Sequence, residues 1–193
     1  MTNGLKSRRF RSQKHYKPGD ILIESEEILA RIKVIADDVA NNYKGKNLLV
    51  IGLLKGAYRT TAALVEQLHI AGITDIDVDF IRVQNYGSET TASGKPKLLQ
   101  DMLKNPKGRH LLVVDDILET GESLNLALGL LNKKKPASVI SFVLLEKKGT
   151  SKINFPVTYR GFLIPNVWVQ GFGMDSNEVG RGDPNIIVGP HNY

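Results

Sequence analysis

His110-Leu111-Leu112-Val113-Val114-Asp115-Asp116-Ile117-Leu118-Glu119-Thr120-Gly121-Glu122-Ser123-Leu124 is the stretch on which the fold turns. Its first half is a short apolar run, the pattern of a strand buried on both faces of a parallel sheet. The run ends on two adjacent carboxylates. A turn with a hydroxyl and a glycine follows and opens into a helix. Backbone N–H groups of such a turn, with the helix dipole behind them, favour a phosphate. A pair of acids at a strand end can take sugar hydroxyls, directly or through a hard cation.

The same alternation continues on both sides. Ile28, Ile32, Ile35 and Val39 recur at helical spacing, so residues 26–43 form an amphipathic helix. Residues 47–54 read as a strand, 58–68 as a helix and 76–83 as a strand. Leu124, Ala127, Leu128 and Leu131 give the helix after the opening motif its buried stripe, and Pro136 stops it. Residues 138–145, 157–163 and 167–171 read as further strands, and Leu98–Leu103 as a short helix. The expected fold class is α/β, a mostly parallel central sheet flanked by helices. In such sheets ligands bind at the carboxyl ends of the strands, where Lys55, Asp115, Asp116 and Lys147 fall.

At 193 residues the chain is sized for one domain with a buried core. It has no cysteine, which removes disulfides and thiolate metal sites. No apolar run is long enough to span a bilayer, and the basic N-terminus lacks an apolar signal core. A cytoplasmic protein is the expectation. The net charge is +6, and residues 1–18 carry Lys6, Arg8, Arg9, Arg11, Lys14 and Lys17 without one acid. The rest is formally neutral. The basic character therefore belongs to a leader, expected to be mobile, and a nucleic-acid partner is left open by that leader alone. Residues 86–97, rich in Gly, Ser and Thr, read as a mobile lid over a single domain spanning 19–193.

Other motifs fall short. Val113-Val114-Asp115-Asp116 also suits the acidic pocket of a phosphorelay receiver, but residues 137–174 contain no acceptor Asp. A Gly-x-x-x-x-Gly-Lys-Ser/Thr loop is absent, and Gly171-Phe172-Gly173 is too slight for a dinucleotide fingerprint. Taken singly, Asp115 and Asp116 suit turn chemistry, Lys147 a solvated turn and Trp168 a core.

Taken in order, residues 113–123 closely resemble the diphosphate-sugar signature of the type I phosphoribosyltransferases. Leu54-Lys55-Gly56, Phe80-Ile81-Arg82 with Asn85-Tyr86, Leu144–Lys148, and Ile164–Val169 running to Asp175 and Arg181 resemble the 6-oxopurine, or hypoxanthine-guanine, branch. The resemblance implies a small hood built from the N- and C-terminal segments. It implies transfer of phosphoribose from phosphoribosyl diphosphate to hypoxanthine or guanine, with Mg2+ as cofactor. By the same resemblance Lys55, Gly56, Tyr86, Asp115, Asp116, Glu119, Thr120, Gly121, Glu122, Ser123 and Arg181 contact phosphoribosyl diphosphate. Ile117, Lys147, Trp168, Val169 and Asp175 form the purine site, and Asp115, Asp116 and Asp175 serve the metal. A cis peptide before Lys55 and a homodimer or homotetramer are further implications. Glu119 stands where the branch usually has Asp, and it is expected to act as general base toward purine N7. A nucleic-acid-binding regulator on the same fold and a xanthine-preferring transferase are the alternatives.

Overall fold

The computed structural model describes residues 10, 15–84, 96–150, 152 and 156–190. Tyr86, nearly all of the expected lid and most of the basic leader lie outside them. The described elements are β1 (Ile21–Ile23), α1 (Ser25–Tyr43), β2 (Leu48–Leu54), α2 (Tyr58–Ile70), β3 (Asp77–Gln84), β4 (Lys97–Gln100), β5 (His110–Leu118), α3 (Glu122–Lys133), β6 (Ser138–Lys147), β7 (Tyr159–Ile164), β8 (Val169–Gln170) and β9 (Ile186–Val188).

Six strands form one sheet in the order β4-β3-β2-β5-β6-β7. Every neighbouring pair is parallel except β3 and β4. Strand alternation divides the core in two. Leu48, Val50, Leu112, Val114, Phe142 and Leu144 pack with α1 and α2 on one face. Leu49, Ile51, Leu111, Val113 and Val143 pack with Leu124, Ala127, Leu128 and Leu131 of α3 on the other. The central strands are apolar on both sides for this reason. Truncating one of these fully buried leucines to alanine costs about 2–5 kcal/mol.

The segment 98–103 is not a helix. Lys97–Gln100 is instead an antiparallel edge strand, with Arg82 opposite Gln100 and Gln84 opposite Lys97. Leu98 joins the α3-side core while Leu99 is exposed, the alternation of a strand. Asp79 accepts the N–H groups of Leu103 and Lys104 at 2.8 and 2.7 Å, ending the strand in a turn.

The two ends of the chain meet in a second sheet, β1-β9-β8, antiparallel throughout. The strand expected over 167–171 shrinks to Val169–Gln170. Arg59 near the start of α2 links the layers. Its guanidinium donates to the Asp183 carbonyl at 2.8 Å and lies 4.7 Å from the centre of the Phe172 ring.

The connections fix where a ligand goes. β2 crosses through α2 outward to β3, while β5 crosses through α3 the other way to β6. The chain therefore switches direction between β2 and β5, and a crevice opens at their carboxyl ends. The β2–β5 pairing stops at Gly52 opposite Val114. From Asp115 onward β5 pairs only with β6.

Candidate active site

Three groups of side chains border this crevice. The first is the β5–α3 turn. Gly121, at φ +85°, takes the left-handed conformation that places the turn ahead of α3. The Asn125 N–H reaches the Gly121 carbonyl at 2.8 Å, so the helical ladder begins at the turn. Asp115, Ile117, Glu119, Thr120, Gly121, Glu122, Ser123 and Leu124 enclose about 100 Å³ of open space. That is the liquid volume of roughly three waters, room for one phosphate-sized group. The first-turn N–H groups of α3 are the donors at its edge.

The second group joins β2 to β5. The Leu54–Lys55 peptide is cis. A Cβ on Gly56 would sit 1.8 Å from Asp116 Oδ2, so only glycine leaves room for that carboxylate. Asp115 is buried and Asp116 partly so; Asp115 Oδ1 accepts the Asp116 N–H at 3.0 Å. Burial, with the adjacent Asp116 charge added, holds the Asp115 carboxyl well above the usual carboxylate range. Burial raises Asp116 too, against hydrogen bonding from Asp115 and the pull of Arg181. Two oxygen donors side by side that resist being charged alone are the set a hard divalent cation satisfies, with waters and substrate oxygens completing the shell. Among the described residues, no three acidic, imidazole or thiol groups gather as a metal cage. Asp175 is committed elsewhere: its Oδ1 lies 2.7 Å from Arg181 and its Oδ2 accepts the Glu178 N–H at 2.8 Å.

Arg181 and Lys55, from distant parts of the chain, also meet at one carboxylate. Lys55 Nζ is 2.9 Å from Glu178 Oε1, and Arg181 lies 3.1 Å from Glu178 Oε2.

The third group is at the end of β6. Lys147 is 2% exposed, and its Nζ lies 3.1 Å from Glu119 Oε2 and 5.8 Å from the Trp168 ring centre. Burial lowers the Lys147 pKa while Glu119 opposes the shift. Glu119 itself is partly exposed. The ring of Trp168 is braced by Gly189, whose N–H donates to the Trp168 carbonyl at 2.9 Å and where a Cβ would meet the indole at 2.3 Å. Val169 is buried in β8 beside it.

Thr150 and Lys152 are not legible as site residues in the sequence. The Thr150 hydroxyl lies 2.9 Å from the Glu119 carbonyl and 3.1 Å from the Lys147 carbonyl. The Lys152 N–H donates to the Thr120 carbonyl at 2.9 Å. These bonds strap the loop after β6 across the turn after β5. Nothing in a lone Thr two residues past a Lys-Lys pair signals this. A larger groove of about 480 Å³ beside the small second sheet, bordered by Pro18, Gln170, Val179 and Pro190, contains none of the predicted site residues.

Among proteins of known kind, the family described as phosphoribosyl transferase domain matches residues 19–177. A hypoxanthine-guanine phosphoribosyltransferase of Dictyostelium discoideum is 33% identical, covering 86% of this chain and 93% of the relative. A hypoxanthine phosphoribosyl transferase structure from Trypanosoma cruzi aligns with a TM-score of 0.81 at 34% identity, over 90% of this chain and 93% of that one. A glutamic acid mutant, from the analysis of an invariant aspartic acid in HPRTs, aligns equally well at 0.81, with 34% identity over 90% of this chain and 96% of that one.

Proposed function

The chain belongs to the phosphoribosyl transferase domain family, and on that premise we propose that it is a purine-salvage enzyme. It transfers the phosphoribosyl group of 5-phosphoribosyl 1-diphosphate to hypoxanthine or guanine, giving the nucleoside monophosphate and diphosphate.

The observation that carries this reading is the Lys147–Glu119 pair, 3.1 Å apart beside Trp168. A 6-oxopurine presents an acceptor, O6, and a donor, N7–H, on one edge. An ammonium and a carboxylate set side by side match that edge. Adenine would turn an amino group toward the Lys147 ammonium, donor against donor. Trp168 supplies a face for the ring.

The sugar-phosphate side follows from the turn. The N–H groups of residues 121–123, with the Thr120 and Ser123 hydroxyls, take the 5-phosphate. Asp115 and Asp116 take the ribose hydroxyls, and Lys55, Gly56 and Arg181 take the diphosphate. Mg2+ held by Asp115 and Asp116 with the substrate, and by Asp175 in exchange for Arg181, would neutralise charge on the departing diphosphate. The anomeric C–O bond breaks, the bond from C1 of ribose to purine N9 forms, and Glu119 accepts the N7 proton. Lys147 donates to O6 throughout.

Assembly as a homodimer or homotetramer in the cytoplasm belongs to the same reading, supported by the family resemblance. No helix among the described residues is long and apolar enough to cross a membrane. The deciding experiment measures diphosphate release with phosphoribosyl diphosphate, Mg2+ and hypoxanthine, guanine, xanthine, adenine or uracil. Turnover with the first two is expected. Turnover with xanthine ahead of both would revise the substrate, and none with any base would overturn the reading.

A further inference from the structure

Glu178 sits at a backbone position that does not suit it. Ser176 and Val179 bond to each other across the turn, N–H to carbonyl at 2.9 Å and 3.1 Å. Between them, Asn177 and Glu178 have φ of +53° and +63°. Positive φ at both central residues defines a type I′ hairpin turn, in which asparagine followed by glycine is the favoured pair. Asn177 conforms. Glu178 occupies the glycine position and carries the steric cost of a Cβ in the left-handed region. A strained residue of this kind points to a use for its side chain.

The side chain has one evident engagement. Its two carboxylate oxygens lie 2.9 and 3.0 Å from Lys55 Nζ, and one of them lies 3.1 Å from Arg181. Lys55 follows β2, and Arg181 comes from the C-terminal hairpin. Glu178 bridges these two cations, which come from distant parts of the chain. Like any solvent-exposed glutamate, it carries a negative charge at neutral pH.

We infer that Glu178 is a built-in competitor of diphosphate, an intramolecular anion that holds Lys55 and Arg181 until the substrate's diphosphate displaces it and that reclaims them as the product leaves. The inference rests on the proposed role of Lys55 and Arg181 as the diphosphate cations. Its energetics suit a displaceable partner. Glu178 is two-thirds exposed, at 66%, and exposed ion pairs are weak. A site occupied part of the time by its own counter-anion has an affinity for ligand reduced in proportion to the fraction of time it is free. Displacement also leaves Glu178 ionised near a highly anionic group, which favours release.

The test titrates inorganic diphosphate calorimetrically into the full-length wild-type protein and into Glu178→Gln and Glu178→Gly, with and without Mg2+. Glu178→Gln keeps the size of the side chain and removes the charge; Glu178→Gly also relieves the turn. Both variants are expected to bind diphosphate about two- to tenfold more tightly than wild type. Diphosphate should also become a correspondingly stronger product inhibitor, and thermal stability of Glu178→Gly should be equal to wild type or higher. A role in merely bracing Lys55 and Arg181 predicts the opposite, weaker binding and lower stability. Unchanged or weaker binding in both variants, with wild type binding normally, would overturn the inference alone. No binding to wild type would overturn the assignment of the two cations, and the inference with it.

Discussion

The Lys147 ammonium is buried, and the Glu119 carboxylate 3.1 Å away is partly exposed. The pair therefore has one buried member and one partly exposed member. Lys147 is held at the end of β6 under Trp168. Glu119 sits on a turn, with one methylene more than the aspartate usual at this position in the 6-oxopurine branch. On the proposed reading, the purine edge would meet a buried donor and a partly exposed acceptor.

Removing the charge of Glu119 tests the proton acceptor. Glu119→Gln should lower turnover on the order of 10²- to 10⁴-fold and abolish the acidic limb of the pH–rate profile. Glu119→Asp keeps the carboxylate and shortens its reach, so it should retain far more activity than the Gln variant. Equal losses in both would sink the general-base assignment.

Lys147 links the site to stability. Its pKa is lowered by burial from the ordinary lysine value of 10.5, with Glu119 pulling the other way. At pH below the native pKa, folded and unfolded chains both carry the charge and the folded one bears the desolvation cost. Between the native pKa and 10.5 the folded chain loses its proton first, so this group's contribution to stability rises with pH. Lys147→Met should raise the midpoint of thermal unfolding at neutral pH, flatten that alkaline rise and destroy activity. A lower midpoint at neutral pH would mean that pairing outweighs burial.

The Thr150 strap predicts a split between two conservative changes. Thr150→Val removes the hydroxyl that reaches the Glu119 and Lys147 carbonyls, and Thr150→Ser keeps it. The valine variant should lose about tenfold or more in kcat/KM for the base and shift its pH profile, because small misplacements of reacting groups are costly. The serine variant should recover most of that. Steady-state kinetics with both variants at several pH values decides it.

Two glycines should behave oppositely. Gly56→Ala drives a methyl into Asp116 and should cost activity at least 100-fold, about 2.7 kcal/mol of transition-state stabilisation. Gly129 lies inside α3, where an added methyl would meet nothing within 4 Å. Gly129→Ala should stabilise the protein by about 0.5–1 kcal/mol without touching kinetics. Chemical denaturation and turnover assays on the pair separate packing from function.

The strand, acidic pair and turn at 110–124 and the helix they open into are legible because the signal is local: an apolar run, two acids and a glycine, followed at once by the helical stripe from Leu124 to Leu131. Lys147 is legible in part from its place at a predicted strand end, whereas Trp168, Asp175 and Arg181 are legible only through family resemblance. β4 escapes the pattern because Leu98 and Leu103 suit a helix as well as a strand; pairing with β3 decides it. β1 and β9 are three residues each, too short for periodicity to show, and β8 is a two-residue remnant of the strand read over 167–171. Glu178 and Thr150 are silent in the sequence. One depends on a backbone angle and the other on a loop crossing between two strands.

The small sheet that joins the chain's ends also sets an order of assembly during synthesis. Trp168 precedes β8, β8 is hydrogen-bonded to β9, and Gly189, just after β9, braces the indole. The six-stranded sheet can close once β7 has emerged from the ribosome. The wall against which the base would stack cannot, because β9 is made after every other element. A nascent chain halted before Ile186 would thus carry an assembled β5–α3 turn while Trp168 still lacked its β9 and Gly189 support.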